Sequence, residues 1–243
     1  DKMKTEFVSV ASHQLRTPLT AIKLFIEMLE DEEVGKLNDT QQKYVANLQL
    51  STEQMVRLVN DLLNVSRLET GRLKIEPVPT NIIKLIETII NETAPLAKKQ
   101  GTEINFKKPT TTKEVSIDPM LIRQVIHNLI TNAIKYSADK NGMVEVKLKQ
   151  AQEGFVISVQ DNGIGISKEE QLRIFEKFFR TGSAVKAASE GTGLGLYVAK
   201  MIMDASGGKI WFESKGLGKG TKFYALIPAS GMAKKKGERS LAT

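Results

Sequence analysis

The stretch Gly154-Phe-Val-Ile-Ser-Val-Gln-Asp161-Asn-Gly163-Ile-Gly165-Ile166 sets the fold of the larger part of the chain. Apolar side chains at Phe155, Ile157 and Val159 predict a half-buried strand, because alternate residues of a strand face the same side. The strand ends in a carboxylate followed by two glycines, which allow a backbone to approach a flat ligand closely. The alternative is an ordinary tight turn.

The segments around this strand show a mixed pattern of helices and strands. Together they predict an α+β sandwich, in which one mixed, largely antiparallel sheet has one face covered by helices. This domain covers residues 77–228. We predict strands at 103–107, 114–117, 143–149, 154–160, 208–214 and 220–227, and helices at 81–100, 118–136, 168–178 and 193–206.

The first 76 residues predict an all-α helical hairpin. Apolar residues recur mostly every three or four positions along two long segments, and Asn38 stands three residues before Gln41, a capping-box pattern that starts the second helix. Such a hairpin cannot bury its apolar stripe alone, so we expect a homodimer in which two copies form a four-helix bundle. The alternative is a coiled-coil stalk. Pro77 and Pro79 mark the linker that follows.

Composition excludes several classes of site. The 243 residues contain no Cys and two His, which excludes disulfides, thiolate zinc sites, Cys nucleophiles and His-rich metal cages. No apolar run is long enough for a membrane helix, so we expect no membrane contact by this fragment. A chain that starts at Asp1 rather than Met also indicates a piece of a longer protein.

The net charge of +7 is unevenly distributed. Residues 1–80 carry 10 basic and 12 acidic side chains, residues 81–228 carry 21 and 15, and residues 229–243 carry 4 and 1. The last segment lacks periodicity and predicts a basic, disordered tail. The body of the chain has no basic cluster interleaved with aromatic residues, so we predict no nucleic-acid partner.

Two further motifs accompany the opening stretch. Asn128, Asn132 and Lys135 lie at i, i+4 and i+7, so one helix face presents two amides, which are possible Mg²⁺ ligands, and an ammonium group, which suits phosphate. The alternative is a solvated helix face. Gly191-Thr-Gly193-Leu-Gly195-Leu196 opens a helix, where free N–H groups favour phosphate. It is not a dinucleotide fingerprint, because its sixth residue is Leu.

Two loops complete the pattern. Gly218-Lys-Gly220-Thr221 is either a further part of the site or an ordinary hairpin turn. Residues 180–190 are small and polar and predict a mobile lid over a ligand.

In this order and spacing, these motifs resemble the N, G1, G2 and G3 boxes of the ATP-binding domain of sensor histidine kinases, with Ile174–Arg180 as the F box. The resemblance implies that Asp161 hydrogen-bonds the adenine amino group and that Asn132, with Asn128, binds Mg²⁺. It also assigns phosphate contacts to Lys135 and Arg180, a position beside the nucleotide to Tyr136, and one near the base to Thr221. It implies that the surrounding loops line the nucleotide through Gly163, Gly165, Ile166, Gly191, Thr192, Gly193, Leu194, Gly195 and Leu196.

The resemblance extends to the gyrase–chaperone–kinase–mismatch-repair ATPase superfamily, in which one position separates the kinases from the ATPase branches. The ATPase branches carry a Glu four residues before the Mg²⁺-binding Asn, where it is the general base for water. In this chain the position is Asn128, which cannot accept a proton. The site is therefore expected to hold ATP without hydrolysing it.

Residues 7–20 resemble the H box of the same kinases, and His13 is the implied phosphoacceptor. A neutral imidazole is nucleophilic near pH 7. By the resemblance, Thr17 helps to position water for dephosphorylation of a partner regulator. Gln14 departs from the family, in which Glu or Asp usually follows the His. The side-chain amide of Gln cannot take the ring proton, whereas a carboxylate can.

The function implied is a cytoplasmic two-component histidine kinase core that uses ATP and Mg²⁺. It would phosphorylate His13 and then an Asp of a response regulator receiver domain. Gln14 motivates one alternative, a weakly active or phosphatase-biased signalling module; the opposing expectation is that Gln at this position is a family-specific variant with full activity. Another alternative is an ATP-gated clamp or nucleic-acid ATPase of the wider superfamily, which Asn128 and the H box oppose.

Overall fold

The computed structural model describes residue 15 and residues 18–31, 35–69, 73–110, 113–188 and 191–237. The chain divides into two compact units, Asp1–Arg72 and Leu73–Arg239. Within the described ranges, none of the helices combines the length and apolar character that crossing a membrane requires.

The first unit contains helix α1, which spans 18–30, and helix α2, Asp39–Glu69. The predicted capping box at the start of α2 is confirmed. The Asn38 side chain accepts hydrogen bonds from the backbone N–H groups of Thr40 and Gln41, at 3.1 and 2.9 Å, while the Gln41 side chain accepts one from the Asn38 N–H at 2.9 Å. Leu19 and Val59 bury their side chains together between the two helices.

The hairpin also leaves a large apolar surface exposed. Phe25 has an exposed fraction of 63%, and side chains on both helices share this exposure. Apolar exposure on this scale is unusual for an unpartnered surface. The exposed side chains are Leu15, Ile22, Leu24, Phe25, Met28, Leu29, Tyr44, Leu48, Leu50 and Met55.

The second unit is built on a five-stranded sheet with the order β2-β4-β5-β7-β6. These strands are β2 Thr102–Lys107, β4 Gly142–Ala151, β5 Gly154–Asp161, β6 Lys209–Glu213 and β7 Lys222–Pro228. The pair β2–β4 is parallel and the other pairs are antiparallel, with Val144 opposite Asp161 and Ile157 opposite Ala225. Strands β1 Val78–Thr80 and β3 Val115–Ile117 form a separate antiparallel pair.

Helices cover one face of the five-stranded sheet. They are α3 Ile82–Lys99, α4 Pro119–Tyr136 and α6 Gly195–Ala205, and α4 contacts both of the other helices. The opposite face carries the Trp211 ring stacked on Tyr224, with ring centroids 5.0 Å apart. The predicted α+β sandwich with a mixed, largely antiparallel sheet is confirmed.

The helix predicted at 168–178 is wrong. Only Gln171–Arg173 forms a short 3-10 helix, and Leu172 is 93% exposed. The segment follows tertiary hydrogen bonds rather than its apolar spacing, because the Gln171 side chain donates to the carbonyls of Ile166 and Ser214, at 3.2 and 3.0 Å. Phe178 adopts a positive φ of 60° shortly afterwards, a conformation that interrupts a right-handed helix.

Two elements were not predicted. The lid segment, residues 180–190, contains helix α5, Gly182–Ala187, whose N–H of Ala184 donates to the Thr181 hydroxyl at 3.1 Å. Strand β1 includes Pro79 because the strand has a partner on one side only, so a missing N–H is tolerated.

The disordered tail predicted from residue 229 does not hold for 229–237. Met232 is only 5% exposed, and its N–H donates to the Ser116 carbonyl at 2.7 Å. A buried apolar side chain and a satisfied backbone hold this segment in place. Residues 238–243 lie outside the described residues.

Candidate functional site

Helix α4 supplies the first group of site residues. The helix begins at Asp118, whose Oδ1 accepts from the N–H groups of Met120 and Leu121 at 3.1 and 3.3 Å. Its apolar face, which includes Leu129 and Ile130, is fully buried. Burial of that face fixes the rotation of the helix and leaves the half-buried Asn128, Asn132, Lys135 and Tyr136 along one side.

Asn128 joins α4 to the start of α6. Its Nδ2 donates to the Gly195 carbonyl at 3.0 Å, which assigns the amide orientation and leaves Oδ1 as an acceptor. Among the described residues, no hydrogen bond is recorded for the Asn132 side chain, one turn further along. The two amides therefore offer oxygen atoms on one helix face, the ligand type that Mg²⁺ prefers.

Asp161 lies buried at the end of β5 with an exposed fraction of 7%. Its Oδ1 accepts from the N–H groups of Gly163 and Thr221 at 2.8 and 3.2 Å, and its own N–H donates to the Thr221 carbonyl at 2.9 Å. Burial raises the pKa of this carboxyl from 3.8 to about 6, against the lowering effect of the N–H donors. These bonds engage Oδ1 and orient the carboxylate.

The loop after Asp161 fits tightly between its neighbours. A Cβ at Gly163 would overlap the Tyr136 carbonyl, and one at Gly220, where φ is +67°, would overlap the Asp161 carbonyl. The Asn162 side chain holds the loop to the start of β4, since its Oδ1 accepts from the Met143 N–H at 2.9 Å. Close packing and this hydrogen bond define the backbone conformation of the loop.

The next part of the loop contacts the turn after β6. Gly165 has φ +65°, and a Cβ there would overlap the Gly216 carbonyl. The buried Ile166 donates its N–H to the Ser214 hydroxyl at 3.0 Å. Asn162 and Ser214 were missed as supports of the site. An Asn inside a turn gives a weak signal for the first, but no local pattern marks a serine whose partner lies 48 residues away.

The loop 191–196 leads into α6 with equally little space. Gly193 has φ +70°, and a Cβ there would lie 2.7 Å from the Phe178 carbonyl carbon. Leu194 is fully buried, and its N–H donates to the Thr192 hydroxyl at 3.2 Å, while Leu196 is half-buried. The contact of Gly193 with Phe178 and the burial of Leu194 hold the loop in place. The start of α6 lies beside Asn128, which donates to the Gly195 carbonyl.

Two cations meet beside Gly191. A Cβ on that glycine would lie 3.2 Å from the Lys135 Nζ and 3.6 Å from the Arg180 Cζ. Arg180 donates to the carbonyls of Ala184 at 3.0 Å, of Gly191 at 3.4 Å, and of Ala188. Burial raises the pKa of the Tyr136 hydroxyl, an effect that the nearby Arg180 opposes. A basic corner thus borders the lid segment.

The structure therefore brings together two groups of the site residues predicted from sequence. Asp161, Gly163 and Thr221 share hydrogen bonds, as do Asn128 and Gly195. The predicted phosphoacceptor His13 and its neighbours Gln14 and Thr17 lie outside the described residues. His127, the other histidine of the chain, is exposed on α4.

Comparison with known families accounts for both units. Residues 117–231 match the family described as histidine kinase-, DNA gyrase B-, and HSP90-like ATPase, and residues 3–71 match the His Kinase A (phospho-acceptor) domain. The sensor histidine kinase WalK of Bacillus subtilis (strain 168) is 35% identical over 229 residues, or 94% of this chain and 37% of that protein. The chain thus spans 37% of the length of this relative.

Solved structures show the same similarity. Full-length ShkA in complex with AMPPNP has a TM-score of 0.76 at 28% identity, over 95% of this chain and 47% of that one. ThkA in complex with the response regulator TrrA has a TM-score of 0.63 at 25% identity, over 92% and 61%. The catalytic domain of ThkA alone is 30% identical, with a TM-score of 0.55 over 63% of this chain and 98% of that one. The chain belongs to the sensor histidine kinases, and it carries their phosphoacceptor and ATP-binding domains.

Proposed function

We propose that the chain transfers the γ-phosphoryl group of ATP to His13 and then to an Asp of a response regulator receiver domain. The observation that carries the proposal is the pairing of a buried, oriented Asp161 with an amide at position 128. The first is suited to hold adenine, and the second is unsuited to activate water. A site of this kind keeps ATP for another nucleophile.

Adenine recognition is assigned to Asp161. Because Oδ1 already accepts two backbone N–H groups, Oδ2 is the atom for the exocyclic amino group of adenine. Protonation of Oδ2 would turn it into an O–H donor, so the ionised carboxylate is the form that suits this amino group. Thr221, whose N–H binds the same Oδ1, lies next to the base by this assignment.

The phosphate groups are assigned to the basic corner and to the amides of α4. Lys135 and Arg180, which both approach Gly191, contact phosphate oxygens. The Oδ1 atoms of Asn128 and Asn132 fit a Mg²⁺ ion, since the amide nitrogen of Asn128 is engaged by Gly195. When bound, Mg²⁺ neutralises phosphate charge.

Position 128 offers no base for the activation of water. An amide such as Asn128 cannot accept a proton near pH 7, so the site lacks the group that the ATPase branches use at this position. This feature supports phosphoryl transfer over ATP hydrolysis.

The nucleophile is assigned to His13. A ring nitrogen attacks the γ-phosphorus, the N–P bond forms as the bond to the bridging oxygen breaks, and ADP leaves. The proton left on the ring passes to solvent, because Gln14 cannot take it. The receiver aspartate then takes the phosphoryl group from the imidazole nitrogen.

A homodimer with its contact on the hairpin is part of the proposal. The exposed Phe25, Leu29, Leu48 and Met55 form the kind of apolar face that four-helix bundles bury. The neighbour ThkA was solved with a response regulator, which supports a receiver domain as the second partner. The use of ATP supports a cytoplasmic location.

The test is incubation of the whole chain with γ-labelled ATP and Mg²⁺. The label should be stable to alkali, labile to acid, and absent from His13→Ala. His127→Ala is the matched control, because it removes the other histidine of the chain and should keep the label. Label in His13→Ala, or steady phosphate release stimulated by DNA, would contradict the proposal.

Gln14 favours a second candidate, a module biased toward dephosphorylating its regulator. General-base assistance is typically worth ~10²–10⁴-fold, so its loss slows autophosphorylation without abolishing it. Gln14→Glu should then raise the labelling rate of His13. An unchanged or lower rate excludes this candidate, and unlabelled wild-type protein that still dephosphorylates a regulator supports it.

A further inference from the structure

Two loops flank the Asp161 carboxylate: the β5 loop, residues 162–166, and the β6–β7 loop, residues 214–221. They are joined close to the carboxylate by their backbones, since the Gly220 N–H donates to the Gly163 carbonyl at 3.1 Å. We call the two loops together the base cradle. Its hydrogen bonds lie within the second unit and link segments that are about fifty residues apart in the chain.

The hydroxyl of Ser214 joins the two loops a second time. Its Oγ accepts from the Ile166 N–H at 3.0 Å and donates to the Gly220 carbonyl at 2.9 Å. A hydroxyl has a single hydrogen, so the donor of this side chain is fully used. Because Ile166 and Gly220 are both buried, removal of the hydroxyl would take a partner from two backbone groups inside the cradle.

Gln171 strengthens the same junction. It lies in the short 3-10 helix Gln171–Arg173, and its Nε2 donates to the carbonyls of Ile166 and Ser214 at 3.2 and 3.0 Å. An amide nitrogen carries two hydrogens, so each carbonyl receives one of them. The β5 loop and the β6–β7 loop are thus connected through two side chains as well as through their backbones.

We propose that Ser214 and Gln171 are positioning residues for adenine, which hold the base cradle in its binding conformation before ATP arrives. The inference rests on the proposed function, in which Asp161 accepts the adenine amino group. The link to that carboxylate is short, because Gly220 precedes Thr221, whose N–H donates to the Asp161 Oδ1 at 3.2 Å. In a looser cradle, part of the binding free energy of ATP would be spent on ordering the loops, and the affinity would fall.

The main test follows labelling of His13 in Ser214→Ala as the ATP concentration is varied. The concentration that gives half the maximal rate should rise roughly tenfold, the upper end of what one hydrogen bond contributes, while the maximal rate changes by less than about twofold. A fraction of unfolded protein would lower the maximal rate instead. Ser206→Ala is the matched control, because it removes a buried hydroxyl that donates to the Ile202 carbonyl at 2.6 Å just after α6, and it should leave both values unchanged.

Ser214→Thr is the rescue variant, since threonine keeps a hydroxyl on the same carbon. Its half-saturating ATP concentration should stay within about twofold of the wild-type value. An unchanged value in Ser214→Ala, or an equal rise in Ser214→Ala and Ser214→Thr, would overturn the role of the hydroxyl.

Gln171→Glu tests the second side chain. It keeps the size of the residue but replaces the donating N–H₂ group with an acceptor beside two carbonyls, so it should also raise the half-saturating ATP concentration several-fold. Gln150→Glu is the matched control, because it makes the same chemical change at an exposed position of β4. Equal values in these two variants would contradict the role of Gln171.

Amide hydrogen exchange separates this inference from the proposed function. Exchange in the β5 loop should be faster in Ser214→Ala than in Ser206→Ala, because the Ile166 N–H loses its acceptor. Equal exchange would show that the hydroxyl does not hold the loop, and the inference would fall even if His13 is labelled normally. If the wild type neither binds ATP nor carries label, the proposed function fails together with the role toward adenine, and exchange still decides whether Ser214 holds the loop.

Discussion

Replacing Asp161 with Asn removes a buried charge while keeping a side chain of nearly the same size. An asparagine oxygen can accept the same N–H groups of Gly163 and Thr221 that Asp161 accepts at 2.8 and 3.2 Å. The substitution therefore tests whether the buried carboxylate serves ATP binding while it lowers the free energy of unfolding. We expect the variant to be more stable than the wild type and unable to bind ATP.

The magnitude follows from the pKa of Asp161, which rises from 3.8 to about 6 on folding. Because the folded state holds the proton more tightly, the stabilisation is fully present below pH 3.8 and is lost as the pH rises through about 6. A shift of about two units at 1.36 kcal/mol per unit amounts to about 3 kcal/mol. Asp161→Asn has no such titration, so its free energy of unfolding should exceed that of the wild type by about 0.5 kcal/mol at pH 4 and by about 3 kcal/mol at pH 7.5.

The assay is urea unfolding of the whole chain, followed by tryptophan fluorescence between pH 4 and pH 7.5. Trp211 is the single tryptophan of the chain and lies on β6, in the same unit as Asp161. Asp204→Asn is the matched control, because it removes an exposed carboxylate on α6 that pairs with Lys200 at 3.0 Å. The free energy of unfolding of Asp204→Asn should stay within about 0.5 kcal/mol of the wild-type value at every pH.

Added ATP supplies the second half of the measurement. A ligand that binds only the folded state raises the free energy of unfolding, so ATP should stabilise the wild type and Asp204→Asn but not Asp161→Asn. A difference between Asp161→Asn and the wild type that does not change with pH refutes the burial argument. Stabilisation of Asp161→Asn by ATP refutes the binding role.

Three further substitutions, one of them with a matched control variant, test other parts of the structure. Gly163→Ala should unfold the second unit or strongly lower the urea concentration at its unfolding midpoint, because the new Cβ overlaps the Tyr136 carbonyl. Gly195→Ala is the control and should fold, since its Cβ would lie 3.5 Å from the Asn128 side chain. Asn38→Ala removes the cap of α2 and should cost about 1 kcal/mol, measured by circular dichroism as earlier melting of helix, with no change if the capping box is dispensable. In Arg180→Lys the ammonium group cannot bind several carbonyls at once, so amide hydrogen exchange in α5 should be faster. Unchanged exchange in α5 would contradict the proposal that Arg180 stabilises the lid segment.

The parts of the fold that were predicted correctly combine local pattern with burial. Helix α4 and strand β5 bury the faces that their apolar spacing defines, so the sequence alone indicates them. At 168–178 the same type of spacing misled, because Leu172 faces solvent and the Gln171 side chain is committed to distant carbonyls. The local sequence does not indicate hydrogen-bond partners that lie far away in the chain.

The residues of the candidate site that were predicted from sequence also lie in local motifs, whereas contacts between distant segments were missed. Glycines and polar residues at fixed spacing indicated Asn128, Asp161 and Gly193, since each lies in a local motif. Residues 229–237 were predicted as disordered because they lack periodicity, whereas the buried Met232 side chain and backbone hydrogen bonds to Ser116 and Ile75 hold them. Contacts between chain segments more than a hundred residues apart leave no periodicity to detect.

The hydrogen bonds of Arg180 have a consequence for how ATP and the lid segment affect each other. One guanidinium holds the carbonyls of Ala184 and Ala188 through Nη2 and that of Gly191 through Nη1. Because both Nη2 hydrogens are donated to lid carbonyls, a phosphate bound through Nη2 releases one of them, and in that geometry ATP binding and lid order compete. By thermodynamic linkage the competition is reciprocal: anything that stabilises the lid in this arrangement weakens the hold on phosphate by the same factor. The lid segment therefore acts as an internal competitor of the nucleotide.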